Sequence, residues 1–240
     1  MTINHIKKSA LSLLLLLPLL ASTLLTGCGT EEIRLENEAE ILAQEGLDNY
    51  NRGKYYNALD IFEKLKDRYP FSPHSLLAEL KVADCNYFMG EYEEAILDYQ
   101  EFEKNHPTNE AIPYVLFQIG MSHFQLIGGI DQDPGSASAA IQAFRRLSKT
   151  YPDSPYITEA TQRINKTKNF LAAHEMKIAS YYTRTGELKQ AEGRLRDLLV
   201  NYPDSHVAPE AQELLARIEA GNPPKRPWYL WIPGMSIFFD

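Results

Sequence analysis

The chain has 240 residues, 44% of them apolar and 23% charged, a formal net charge of −8 and two cysteines. Its apolar content is enough for a sizeable core, and two cysteines are too few for a disulfide framework. The acidic balance argues against nucleic acid as a partner, because backbone recognition sets Lys and Arg against phosphate.

At the start of the chain, Lys7 and Lys8 precede an apolar run from Ala10 to Leu25, which closes in Leu-Thr-Gly-Cys at Cys28. A basic start and a short apolar stretch make a secretory leader. Sixteen residues, broken by Ser12, Ser22 and Thr23, are too few for a spanning helix. The ending resembles a bacterial lipobox, which implies cleavage before Cys28 and covalent diacylglycerol and N-acyl lipid on that residue. With Gly29 rather than Asp next, the resemblance also implies transport to the outer membrane. Several acyl chains anchor stably where one is marginal, since each buried methylene adds about 0.8 kcal/mol. Without residues 1–27 the chain keeps 213 residues with 22 basic and 32 acidic side chains, a net charge of −10. Charge would not hold such a chain on an anionic membrane, so the lipid must. Residues 28–38 read as an acidic tether reaching roughly 40 Å when extended. With Cys28 lipidated, Cys85 has no disulfide partner; it sits in an apolar helical pattern and reads as a small buried hydrophobe, a reactive thiol being the other reading.

From residue 39 onward one grammar recurs. Gly53, Gly90, Gly135 and Gly186 are each followed five residues later by Ala (58, 95, 140, 191) and four after that by Phe62, Tyr99, Phe144 or Leu195. Pro closes each copy at positions 70, 107, 152 and 203, and the first two copies are 37 residues apart. A fixed period in this range marks a solenoid, since one helix pair cannot bury its apolar face alone and must stack on neighbours. Small residues at 46, 83, 120 and 179 mark where the first helix of each pair approaches the second. Gly53, Gly90 and Gly186 should end first helices in the left-handed conformation, and the prolines should stop the second ones. The pattern resembles the tetratricopeptide repeat, with surplus residues in the turns between repeats. The expected fold is all-α, a superhelical solenoid of antiparallel helix pairs with a concave groove.

Two intervals depart from the period. The third unit, Pro107 to Pro152, exceeds the period by eight residues, and the surplus falls within Leu-Ile-Gly-Gly-Ile-Asp-Gln-Asp-Pro from Leu126. That stretch reads as a mobile, exposed loop able to carry binding residues, or as a neutral insertion. The fourth, Pro152 to Pro203, has fourteen extra residues, close to four helical turns. Ile157, Ala160, Ile164, Leu171 and Ile178 continue one apolar stripe through it, predicting one long helix over 156–185 or two with a slight break near Asn169. The expected division is a three-repeat N-terminal half over 39–152, a long helix plus C-terminal repeat over 153–220, and a tail over 221–240. The tail holds both tryptophans, Trp228 and Trp231, and four prolines between Pro223 and Pro233. It reads as a cap packing Trp228, Trp231 and Phe238 over the last helix, or as a partner-binding or membrane-interface peptide.

No catalytic or metal motif accompanies the repeats: His5, His74, His106, His123, His174 and His206 are scattered, and no phosphate loop or nucleophile elbow occurs. The chain is therefore read as no enzyme, with no metal and no cofactor beyond the lipid. The connecting segments are more specific than the repeats: RYPFSP (Arg68 to Pro73), NHPTNEAIPYV (Asn105 to Val115), DPGSASAAIQAF (Asp133 to Phe144), YPDSPYITEATQRI (Tyr151 to Ile164) and ASYYTRTG (Ala179 to Gly186). With the lipobox they resemble the lipoprotein family of the outer-membrane β-barrel assembly machinery, over Cys28 to about Ala220. The aromatic tail departs from that family. The resemblance implies a scaffold anchored through Cys28 at the periplasmic face of the outer membrane. It would bind a BamA-type barrel subunit, other lipoproteins of the machinery and unfolded outer-membrane proteins. Tyr50, Tyr87, Phe88, Tyr114 and Phe117 are then candidate groove residues, each otherwise repeat core. Arg194 is the candidate contact of the C-terminal repeat, otherwise a solvated side chain. The alternative is a tetratricopeptide lipoprotein recruiting cell-wall hydrolases or piloting a secretin; an enzyme whose site forms only on folding is a third.

Overall fold

The computed structural model describes residues 27–224, with side chains from residue 35. The leader, the Cys28 side chain and the tail from residue 225, with Trp228, Trp231 and Phe238, lie outside the described residues. Those described form nine helices and no strand: α1 (Gly27–Asn51), α2 (Tyr55–Arg68), α3 (Ser75–Met89), α4 (Tyr92–Asn105), α5 (Ile112–Gln125), α6 (Gly135–Thr150), α7 (Ile157–Thr185), α8 (Leu188–Asn201) and α9 (Ala208–Glu219). The all-α, tetratricopeptide-like fold is as the repeats predict. Two compact units are present, Met1–Met89 and Gly90–Asp240. In the first, α1 packs on α2 and α2 on α3; in the second, each helix from α4 to α9 packs on the next.

Small residues sit opposite rings because the helix backbones come that close. A Cβ on Gly46 of α1 would lie 2.6 Å from the Phe62 ring of α2, and one on Gly120 of α5 would lie 2.5 Å from the Phe144 ring of α6. Both rings are fully buried. In the fourth pair, Ala179 of α7 and Leu195 of α8 share a core cluster with Ala191 and Leu198. The second helices bury one stripe each, as with Ala58, Ile61, Phe62 and Leu65 on α2.

The punctuation is as regular as the core. Gly53, Gly90 and Gly186 have φ of 71°, 87° and 85°. Tyr69, His106, Tyr151 and Tyr202, each preceding a repeat proline, leave the helix with φ between −129° and −135° and ψ between 52° and 66°. Their carbonyls accept the amides of Ser72, Asn109, Ser154 and Ser205 at 3.0–3.1 Å. Three of those side chains in turn accept an amide two residues on, at His74, Ala111 and Tyr156. In the last turn Asn169 of α7 takes over, its Oδ1 accepting the His206 amide at 2.9 Å. A polar residue two positions after each proline was a visible sign of this turn that the repeat reading passed over.

Two expectations are revised. Residues 28–38, read as an acidic tether, lie inside α1, so they rise about 1.5 Å each rather than the 3.3–3.6 Å of extended chain. The loop expected to be mobile is tied to α7: the Ile130 carbonyl lies 2.6 Å from His174 Nδ1, and Ile127 packs against a cluster of Ala137, Ile141 and Leu171. Helix α7 is continuous over 29 residues, and Asn169 links it to the last inter-repeat turn instead of breaking it. Cys85 is fully buried and its thiol is pushed up to about 12 by burial first and the Asp84 charge second, as expected of a packing residue.

Gly120→Ala should cost about 1–3 kcal/mol in guanidinium unfolding, because the methyl group must displace a close-packed ring. Gly193→Ala, with nothing within 4 Å of the added methyl, should cost nothing or stabilise the helix. Equal stability of the two variants would contradict the packing described.

Candidate functional site

Of the five candidate groove residues, three come together in the first unit. Tyr50 ends α1 and Tyr55 begins α2, on either side of the Gly53 turn, whose left-handed glycine reverses the chain so that the two rings meet edge to face, 5.5 Å apart. Phe88, at the end of α3, stacks on Tyr55 with centroids 5.0 Å apart and planes 16° from parallel, and meets Tyr50 edge-on at 5.9 Å. Tyr87 flanks Phe88 at 5.4 Å. The tyrosines are half-buried, while Phe88 is 47% exposed, so Phe88 is the member of the cluster most open to solvent.

Beneath these rings lies a polar support. Asp84 is fully buried, and its Oδ2 accepts from Lys81 Nζ at 2.7 Å and, more weakly, from the Tyr50 hydroxyl at 3.5 Å. Lys81 Nζ also lies 4.1 Å from the Tyr50 ring centroid, a cation–π contact. Burial first, and the Asp84 charge second, hold the Tyr50 phenol well above its ordinary value. Tyr50 is therefore a neutral donor fixed in place, and the ion pair leaves the aromatic face without net charge. Tyr55, Lys81 and Asp84 escaped the sequence reading. The clue available was a buried-pattern Asp three residues after a Lys, because an Asp inside an apolar stripe needs a partner.

In the second unit, Tyr114 and Phe117 lie on α5. Phe117 is only 7% exposed, packed between Phe144 at 5.9 Å and a stacked Tyr156 at 5.0 Å, so it is repeat core and not a groove wall. Tyr114 is half-buried, its ring 5.8 Å from that of Tyr156, and its hydroxyl accepts from the buried Gln118 amide at 3.2 Å. Gln118 also donates to Tyr99 at 3.4 Å. Arg194 of α8 is 44% exposed and already holds Glu175 of α7, its Nη1 lying 3.1 and 3.4 Å from the two carboxylate oxygens. A partner's carboxylate would have to share or displace that pair, which at this exposure contributes at most about 1 kcal/mol.

Among the described residues, no group of three or more His, Cys, Asp or Glu could hold a metal ion, and no helix is long and apolar enough to cross a membrane. The chemistry on offer is recognition: open rings for stacking, with a fixed hydroxyl beneath them.

A family described as YfiO, outer membrane lipoprotein, matches residues 36–222. The chain is 28% identical over 207 residues to the outer membrane protein assembly factor BamD of Vibrio cholerae, covering 82% of this chain and 86% of that protein. The protein of the same name from Neisseria gonorrhoeae is 27% identical over 208 residues, covering 80% of this chain and 78% of its own length. That from Caulobacter vibrioides is 28% identical over 176 residues, 73% of this chain, and the match spans only 58% of the relative's length.

Asp84→Asn should bring the alkaline titration of Tyr50 down but leave it raised, since burial is the larger cause. The signal is the tyrosinate absorbance missing in Tyr50→Phe. The sign for stability follows: Tyr50 contributes fully below the unfolded phenol's value of about 10, and the contribution is lost as pH climbs beyond it, because the unfolded chain ionises first. A Tyr50 that titrates like a free phenol would contradict the site geometry.

Proposed function

The chain belongs to the YfiO family of outer membrane lipoproteins, and from that premise we propose that it is a non-enzymatic scaffold for outer-membrane protein assembly. Lipid on Cys28 holds it at the periplasmic face of the outer membrane. The first unit receives unfolded barrel precursors, and the C-terminal repeat docks on a BamA-type barrel subunit beside other lipoproteins of the machinery. The observation that carries this reading is a family match over 36–222, which takes in all four repeats, together with relatives named as assembly factors.

The aromatic cluster suits that task physically. Strands of membrane barrels alternate outward apolar residues with inward polar ones and carry aromatic girdles. An unfolded precursor therefore offers apolar side chains at every second position of an extended segment, with rings toward the strand ends. Phe88, about half exposed, offers its ring to such side chains, with Tyr55 backing it at stacking distance. Aromatic contacts contribute about 0.5–1.5 kcal/mol each beyond area burial, which suits a site that must hold many sequences and release each of them. Backing from the Lys81–Asp84 pair keeps the rings in place between clients. Tyr114 serves as a second aromatic contact in the other unit, and Arg194 as the exposed charge of the C-terminal repeat.

Depleting the protein should lower the amount of folded, assembled barrel proteins in the outer membrane, and the native chain should co-isolate with a barrel subunit from solubilised membranes. Unchanged barrel levels, or co-isolation with a cell-wall hydrolase or a secretin instead, would contradict the proposal. Phe88→Ala with Tyr55→Ala should weaken binding of an extended, aromatic-rich barrel-strand peptide roughly tenfold, from two lost ring contacts of about 0.5–1.5 kcal/mol each. Mass spectrometry of the mature N-terminus should find Cys28 acylated.

A further inference from the structure

The turn after α2 holds up a ring that the fold does not use. Phe71 is 100% exposed, between the exposed Pro70 and Pro73. Hydrogen bonds fix the turn that presents it: Ser72 donates its amide to the Tyr69 carbonyl at 3.0 Å, Ser72 Oγ accepts the His74 amide at 3.2 Å, and the Ser75 hydroxyl donates to the Pro70 carbonyl at 2.9 Å. The repeat asks for no apolar residue here. Directly after the repeat proline the other three turns carry Thr108, Asp153 and Asp204, and the position is exposed in all four.

Phe71 also has apolar company. With Leu35 of α1, 42% exposed, and the two prolines it lines a cleft of about 400 Å³ that lies wholly within the first unit, and Arg68 and Glu36 line the same cleft. The Tyr69 hydroxyl donates to Glu38 Oε2 at 2.6 Å, so the turn is fastened toward the start of α1. Leu35 follows Cys28 by seven residues, a rise of about 10 Å along the helix and at most about 25 Å of chain in any conformation. The patch therefore stands beside the residue proposed to carry the acyl chains.

Four apolar side chains are far fewer than the roughly 20–30 residues a side of a stable protein interface. A bilayer needs no such area, because a covalent anchor already keeps the patch at a high effective concentration near the surface. Phe and Leu enter the boundary between headgroups and acyl chains, and a guanidinium such as that of Arg68 pairs with a lipid phosphate. Glu36 in the same cleft opposes an anionic surface, so the fit is to zwitterionic headgroups.

We infer that the turn from Arg68 to Pro73, with Leu35, rests on zwitterionic phospholipid as a second membrane contact beside the lipid anchor. Acyl chains alone leave a protein free to swivel; a second contact fixes how the first unit faces the bilayer. The inference depends on the proposed acylation of Cys28.

The acylated mature chain in phosphatidylcholine vesicles provides the test, with Trp228→Phe and Trp231→Phe so that one introduced indole reports. In Phe71→Trp, emission should be shifted to the blue and quenched by lipids brominated on their acyl chains. Tyr56 is 78% exposed and about 18 Å away along α2, so Tyr56→Trp should show neither effect. Both side chains are exposed, and circular dichroism should show that neither change disturbs the helices. Unquenched emission from position 71, in vesicle-bound protein whose acylation is confirmed by mass spectrometry, would overturn the inference and leave the anchor standing. Equal quenching at positions 56 and 71 would also overturn it, since the whole unit would then lie on lipid. Should position 71 stay unquenched while Phe71→Ser abolishes co-isolation of a barrel subunit, the turn belongs to a protein partner and the inference falls. Mature protein without acyl chains would remove the anchor and the inference together.

Discussion

Everything in this fold follows from how closely two helices can approach when one offers no side chain. Phe62 and Phe144 lie where a single methyl group on Gly46 or Gly120 would stand, well inside van der Waals contact. Each such ring fills the space between the helices of a pair and so sets their separation. The alanines at 58, 95, 140 and 191, one turn before the ring or Leu195, are all fully buried. Hairpins fixed in this way present their remaining surfaces at predictable places, which is what a binding scaffold requires. No catalytic constellation is needed to explain why the glycines, alanines and rings keep their spacing.

The candidate site uses the leftover aromatics of the same grammar. Tyr50, Tyr55 and Phe88 fall at helix ends beside turns, where a ring is only partly covered by the next helix. The buried Asp84 would be costly alone; with Lys81 and Tyr50 as partners it becomes a brace under the rings. That arrangement makes one surface both apolar and rigid.

How much of this could be read from the sequence depended on the range of the interaction. The repeat glycines and prolines act on their own backbone, so the left-handed turns at 53, 90 and 186 and the stops before 70, 107, 152 and 203 were legible at once. The fourteen-residue surplus kept its helical phase and did become one helix. Side-chain fates were less legible, because spacing places a residue on a face without saying what covers it. Phe117 and Phe88 both lie on first helices, yet one is covered by Tyr156 and Phe144 and the other is left half open. Spacing leaves Arg194 open to a partner, whereas in the fold Glu175, nineteen positions earlier, lies 3.1 Å from it. The loop from Leu126 misled for the same reason: its glycines suggested freedom, while His174, 44 positions away from Ile130, supplies the restraint. The acidic stretch after Cys28 proved helical, since its Glu and Leu residues are good helix formers and outweigh the single Gly29.

Because the packed helix pairs are almost all consecutive in the chain, with α1–α3 and α5–α7 contacts much weaker, few distant segments have to find one another during folding. Topologies of this kind have low contact order and collapse quickly, without a large loop-closure entropy to overcome first. A polypeptide threaded out of a pore amino-end first could therefore complete each hairpin as soon as its second helix emerged, shortening the time its own apolar stripes stand open to aggregation.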